Sequence, residues 1–274
     1  KAAAENKFWK KNGLDAEWVP FKGATPMFRA VAAKSIVYGM ATGTGAIPAA
    51  TRGVPVVMVA DLQSAELFVL YVRTDGKIRK PKDLKGAKMG TPRLGGSTHA
   101  MALVVARAHG IEKDVKMVAT GGIRGLLAGL KTGVVDTAIE PVHLMIKMQL
   151  AGDIRELLRL ADYHPKEWAH HVLFSTKEFI QKKPDTLKRA VKASLQANNY
   201  IQDNRAWTIK TMKETSGFSE EAIKLILKDY RFSRTGRLSR KGVKNLRDFL
   251  IEYEIISKAK APPVDELYTD KFLP

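Results

Sequence analysis

Three short stretches carry the residue types that hold small polar molecules through backbone N–H groups. Residues 41–45 read ATGTG, residues 90–98 read GTPRLGGST, and residues 119–125 read ATGGIRG. In each, glycines and hydroxyls stand where a strand should turn into a helix. The first N–H groups of such a helix have no partner within it and point out of the turn, which attracts electron-rich groups. Thr42, Gly43 and Thr44, then Gly96, Ser97 and Thr98, then Thr120, Gly121 and Gly122 are the candidate ligand contacts. A second reading of Ser97 and Thr98 stays open, in which they cap their own helix. Three turns of one kind suggest a shared rim at the carboxyl ends of strands, where open α/β sheets place ligands.

Two arginines stand at these turns. Arg93 lies in the central one and Arg124 just after Gly122. A guanidinium fork suits sulfonate or carboxylate oxygens; the competing reading has both arginines facing water. Glu140 follows the apolar run VVDTAI, where it either receives a ligand amine or amide or caps the loop before Pro141. Arginine with glutamate would suit a zwitterion, and arginine alone a simple anion.

Other chemistries lose their residues. The chain has no cysteine, which removes thiol nucleophiles, disulfides, Cys-ligated zinc and iron–sulfur clusters. Among the six histidines, His164, His170 and His171 lie in DYHPKEWAHH without the i, i+4 spacing of helical zinc ligands. That stretch is expected to be a surface turn, with no metal and no cofactor. TPRLGGST lacks the G-x-S-x-G elbow that would expose Ser97 as a nucleophile, so no catalytic residue is assigned.

The elements that must position these residues alternate. Strands are expected at 15–21, 36–42 and 54–60, with helices at 26–34 and 47–52 between them. A second series has strands at 88–91, 115–119 and 134–139 and helices from Ser97, from Ile123 and over 142–150, with Met101, Val104, Val105 and Ala108 on one face of the first. Strand–helix–strand alternation is that of a parallel sheet covered by helices. The apolar run 66–73 leads into a polar, Pro- and Gly-containing stretch, as at a lobe boundary, and 171–180 is a further crossing. From Pro184 onward the chain reads as mostly helical, with Leu187, Val191 and Leu195 at spacing four. Residues 30–42 and 125–140 each run from a small-residue helix through a polar turn into a strand, a weak internal repeat. Residues 1–13 read as a helix already under way, packed through Ala2, Phe8 and Trp9 and closed by Gly13, so a preceding strand and an export signal are expected to be missing.

A chain of 274 residues, 45% hydrophobic and 27% charged, buries a core large enough for two lobes. No apolar run approaches the roughly 18 residues of a membrane span. The net charge of +18 raises nucleic acid, acidic membranes and anionic ligands as partners. The excess is spread along the chain, and the basic stretch 231–241 reads as a solvated loop, so no nucleic-acid partner is expected.

FWKKNGLDAEWVPFKG, DLKGAKMGTPRLGGSTHAMA, LLAGLKTGVVDTAIEP, PDTLKRAVKASLQANNYI and VDELYTDKFL together resemble the periplasmic substrate-binding proteins of ABC importers for nitrate, sulfonates, taurine and thiamine-precursor pyrimidines. The resemblance implies a type II periplasmic-binding fold, α/β, each of two lobes a mainly parallel sheet flanked by helices. Lobe I would hold residues 1–72 and 173–274, lobe II residues 73–172, with the ligand in an interlobe cleft. It implies a monomer outside the cytoplasm, free or lipid-anchored, that carries a small anionic solute to an ABC permease. By the same resemblance Gly96, Ser97 and Thr98 match the ligand-contacting turn of lobe II, Thr120 to Gly122 its next turn, and Thr42, Gly43 and Thr44 that of lobe I. The chain departs from the family in lacking its first strand and loop, and in having Val37 where an acid is often kept and where lobe II has Asp136. Pyrimidine-forming and desulfinating enzymes share this fold but rely on cysteines. The alternative is a cysteine-independent enzyme acting on a pyrimidine or an aromatic acid.

Overall fold

The computed structural model of the chain describes every residue except 1, 6, 22, 64 and 66. The readings above that touch Lys1, Asn6, Lys22 and Glu66 lie, at those positions, outside the described residues. In chain order the strands are β1 (Tyr38–Thr42), β2 (Val56–Gln63), β3 (Phe68–Arg73), β4 (Lys88–Thr91), β5 (Lys116–Ala119), β6 (Thr137–Pro141), β7 (Ile154–Arg159) and β8 (His171–Thr176). The chain divides into two compact units. Unit 1 holds residues 1–65, 167–215 and 231–274, and unit 2 holds residues 66–166 and 216–230.

Unit 2 is built on a five-stranded sheet of order β5-β4-β6-β3-β7. β4 runs parallel to β5 and β6, and β3 runs antiparallel to β6 and β7. The apolar run that looked like the end of lobe I is β3, and it belongs to unit 2 because it is hydrogen-bonded on both sides. Burial of Phe68 through Val72 explains its unbroken apolarity, which a one-sided strand would not need. β7 was not anticipated from the sequence. Its apolar residues Ile154, Leu157 and Leu158 are interrupted by Arg155 and Glu156 without strict alternation, and the preceding Gly152 takes a positive φ of 77°, a turn signal ahead of a short run. The Ser97–Ala108, Ile123–Thr132 and Val142–Leu150 helices pack on the sheet, and the Glu220–Asp229 helix packs on Val142–Leu150.

Unit 1 has a three-stranded sheet of order β1-β8-β2, with β8 antiparallel to both neighbours. β1 and β2 therefore run the same way, and their last residues, Thr42 and Gln63, both pair with His171. Leu187, Val191 and Leu195 of the Pro184–Asp203 helix lie against Val59, Ala60, Leu62 and Leu173, as their spacing predicts.

Several expectations are corrected. Residues 15–21 form no strand; Trp18 is 65% exposed, and Pro20 has no N–H to give a ladder. The first helix is split into Ala2–Glu5 and Phe8–Lys11 by Lys7, whose φ of 55° is left-handed. Residues 231–241 are not a solvated loop. Leu238 is buried, Asn198 Nδ2 donates to the Ser233 carbonyl at 2.8 Å, and Asp61 N donates to the Gly236 carbonyl at 2.8 Å. Nor is His170 on a surface turn, for it is fully buried; nearby Trp168 is also buried, and its ring meets Phe249 edge-on at 5.0 Å.

The repeat explains the unmatched acid. In unit 2, Lys88 N donates to Asp136 Oδ2 at 2.8 Å and Asp136 N donates to the Lys88 carbonyl at 2.8 Å, which ties the starts of β4 and β6 together. At Val37 the backbone carbonyl accepts instead, from Thr176 N at 3.0 Å and from Ser175 Oγ at 3.1 Å. An acid there has no corresponding task.

Gly90 sits inside β4, where an added Cβ would lie 2.6 Å from Leu126 Cδ1 and 2.9 Å from the Thr137 carbonyl. Gly90→Ala is expected to destabilise unit 2 by about 1–3 kcal/mol, measured as a lower urea midpoint with an unchanged slope.

Candidate functional site

In unit 2 the expected residues assemble where β4 and β5 end. Thr120 N and Thr120 Oγ1 both donate to the Thr91 carbonyl, at 2.9 and 3.1 Å. The hydroxyls of Thr91 and Thr98 are 3.0 Å apart, which fixes the first turn of the Ser97–Ala108 helix to the end of its strand. Gly96, not Ser97 or Thr98, is the N-cap of that helix, and Gly122 is the N-cap of Ile123–Thr132; neither supplies a side-chain cap. The capping reading of Ser97 and Thr98 is thereby set aside. Gly95, Gly121 and Gly122 have φ of 76°, 80° and 144°, a range that L side chains rarely adopt. Arg93 and Arg124 are both exposed at these turns. His99 joins them, its Nδ1 accepting from Gly95 N at 3.2 Å.

Glu140 lies within its strand rather than after it. It lies inside β6, opposite Val69 of β3, and is 3% exposed, so it does not solvate a loop. Its Oε1 has no hydrogen-bond partner among the described residues, and burial pushes its carboxyl up to about 8. Tyr71, two residues along β3, is also buried, and burial together with the nearby Glu156 raises its phenol well above the usual range. Beyond Glu140, His143 Nδ1 and the Tyr230 hydroxyl are 3.2 Å apart. Burial lowers the imidazole and pushes the phenol up to about 12.

In unit 1, Thr42 is the N-cap of the Gly43–Thr51 helix without a side-chain cap bond. That helix begins four residues earlier than the expected 47. An added Cβ on Gly43 would meet the Ala169 carbonyl at 2.3 Å and Leu246 Cδ2 at 2.4 Å, so packing alone requires this glycine. Its N–H donates to the His170 carbonyl at 2.7 Å and is not available to a ligand. Thr44 is 3% exposed.

Sequence reading missed Thr91, Gly125 and Asp61, and it put His170 on a surface turn. Gly125 has an added-Cβ position 2.0 Å from the Thr120 carbonyl, and the signal was a glycine inside a helix, where it is unfavourable. Asp61 extends the buried β2 past the apolar run VPVVMVA, and is 6% exposed. An acid continuing an apolar strand was its signal.

Residues 2–206 match the family described as NMT1/THI5 like. The chain belongs to this family. It is 23% identical over 204 residues to the formylaminopyrimidine-binding protein of Halalkalibacterium halodurans. That match covers 74% of this chain and 61% of the relative, so the chain spans under two thirds of the length of the curated relative it matches. The alkanesulfonate-binding protein SsuA of Xanthomonas axonopodis pv. citri, solved with bound MOPS, is 18% identical with a TM-score of 0.85, covering 98% of this chain and 93% of that one. SsuA of Escherichia coli is also 18% identical, with a TM-score of 0.80 and coverage of 97% and 86%. The desulfurization enzyme DszB has a TM-score of 0.65 at 16% identity, covering 99% and 93%. The fold is that of the periplasmic binding proteins, named as such for a Candida albicans protein with a TM-score of 0.85 at 15% identity, covering 99% and 92%.

Two buried carboxyls make stability depend on pH. Asp61 is pushed up to about 7 by burial, against the Gln63 N–H and His170, which pull it down. The unfolded chain releases these protons near pH 4, while the folded chain keeps them until about 7 for Asp61 and about 8 for Glu140. Stability therefore falls as pH rises through that window. Glu140→Gln should flatten the slope and exceed wild type by a few kcal/mol at about pH 9 but not at about pH 5, read from urea melts at both.

Proposed function

We propose that this chain is an extracytoplasmic solute-binding protein, which captures a small organic solute carrying an anionic group and delivers it to an ABC transporter permease. The observation that carries this reading is the set of helix starts without side-chain caps at Thr42, Gly96 and Gly122, on a chain of this family and fold. Exposed Arg93 and Arg124 add cationic forks at two of the turns, and the relatives named for sulfonate binding give the anion class. The proposed contacts are Thr42, Gly43 and Thr44 in unit 1 and Arg93, Gly96, Ser97, Thr98, Thr120, Gly121, Gly122, Arg124 and Glu140 in unit 2. Gly43 serves there through shape, since its N–H is already used. The protein would act as a monomer without a cofactor.

One observation favours a second reading of the solute. A buried Glu140 that keeps its proton near neutral pH both donates and accepts, which suits an amino-substituted pyrimidine, as the Halalkalibacterium relative's name would suggest. An enzyme reading rests on the DszB likeness in fold, and the absence of cysteine denies it a thiol.

A thermal-shift panel of taurine, alkanesulfonates, nitrate, bicarbonate, aromatic carboxylates and pyrimidines separates these. A solute at about 100 times its dissociation constant adds roughly 2.7 kcal/mol, or at least several degrees of Tm. A shift with sulfonates or another anion class is the expected result. Shifts with pyrimidines alone would discard the anionic solute, and silence across the panel, with turnover of any of them, would favour the enzyme. With the solute in hand, Ser97→Ala combined with Arg124→Ala should weaken binding at least tenfold, about 1.4 kcal/mol. Unchanged affinity by calorimetry would remove the site from the rim of unit 2.

A further inference from the structure

We propose that Asp61, with Thr44 and His170 at the same end of the unit 1 sheet, forms a solute-contacting subsite of unit 1 that takes an N–H donor group: an amine, an amide or the amino group of a heterocycle. The inference rests on the solute-binding reading and deepens it, because it names what the solute carries besides an anionic group.

β2 is buried along its whole length, and a carboxyl in such a strand is costly unless its oxygens are used. The Gln63 backbone N–H serves the Asp61 carboxyl and the His170 imidazole acts on it electrostatically. Oδ1 nevertheless has no hydrogen-bond partner among the described residues, on a residue 6% exposed. The same holds for Thr44 Oγ1, 3% exposed, at the second position of the Gly43–Thr51 helix.

The two orphaned oxygens belong to one end of the unit 1 sheet. Asp61 pairs with Val172 and Ala41 pairs with Val172 from the other side, one register step before the Thr42–His171–Gln63 row. Gly43 N donates to the His170 carbonyl at 2.7 Å, which ties the start of the Thr44 helix to the residue that acts electrostatically on Asp61. Buried polar atoms are nearly always satisfied, and each exception asks for an explanation. No hydrogen bond among the described residues explains either oxygen, whereas a ligand group explains both.

The chemistry of the pair sets the class. A carboxylate oxygen only accepts, and a carboxylic acid donates from one oxygen while accepting through the other. The first suits an ammonium, the second an amino group next to a ring nitrogen. A bare sulfonate or nitrate offers Asp61 neither, and like charge repels it once the carboxyl is ionised. Unit 1 in this reading selects a nitrogen-bearing group of the solute.

Matched pairs test this directly: taurine against ethanesulfonate, and 4-aminopyrimidine against pyrimidine, each titrated calorimetrically into the full chain. The amino-bearing member of at least one pair should bind on the order of tenfold more tightly or better, as for a hydrogen bond to a charged group. Asp61→Val, which can neither accept nor donate, should abolish that preference. Thr44→Val keeps the side-chain shape and should reduce it; where Asp61→Val does not fold, this variant decides. Equal affinities within both pairs, a preference that survives these variants, or one abolished by Glu140→Gln alone would overturn the assignment while leaving the solute-binding reading intact. If the wider panel identifies another solute, that solute replaces the pairs against its deaminated analogue, and one without an N–H donor overturns the inference. Binding of no solute at all ends both readings.

Discussion

What the rim of unit 2 depends on is how closely backbone can approach backbone where β4 and β5 end. Thr120 reaches the Thr91 carbonyl through both its N–H and its hydroxyl, and its own carbonyl lies where a Cβ on Gly125 would be. Gly90 accepts the same crowding from Leu126, Val135 and the Thr137 carbonyl. Two glycines thus let a strand, its neighbour and the following helix share space that side chains would fill. The positive-φ glycines of the turns then aim the helix starts outward. The polar rim is a product of tight packing behind it.

A second constraint acts through solvation. Both units bury a carboxyl near the carboxyl end of a strand, Asp61 in β2 and Glu140 in β6. Each has an oxygen without a hydrogen-bond partner among the described residues, and a protein gains no stability from such groups when empty. Surface pairs such as Arg240 with Asp265, both well exposed, contribute little by comparison. Burial of the two acids costs folding more than their hydrogen bonds return.

Much of this was legible in the sequence. Leu187, Val191 and Leu195 announced their buried face, and the glycine and hydroxyl turns at 96–98 and 120–122 announced helix starts, because local spacing and local conformation are encoded locally. Pairing is not. β3 and its place in unit 2, β7, and the antiparallel β8 between β1 and β2 depend on partners far along the chain. Residues 15–21 carry β-prone types, yet no strand pairs with them. Thr42, Gly43 and Thr44 were found by their types, while the use of the Gly43 N–H by His170 needed the fold. Asp61 and His170 were passed over because burial decides what an acid or an imidazole does, and burial is a property of the assembled unit.

The return of residues 216–230 to unit 2 has a consequence for how this protein can be taken apart. Asp229 pairs with Arg159 at 3.1 Å, and the Glu220–Asp229 helix lies on the Val142–Leu150 helix. Unit 2 is therefore not a contiguous cassette. A recombination that exchanged residues 66–166 alone with those of a relative would strip one helix of its cover and one arginine of an acid. Inheritance of the rim, whether by evolution or by chimera design, has to carry two separate segments together.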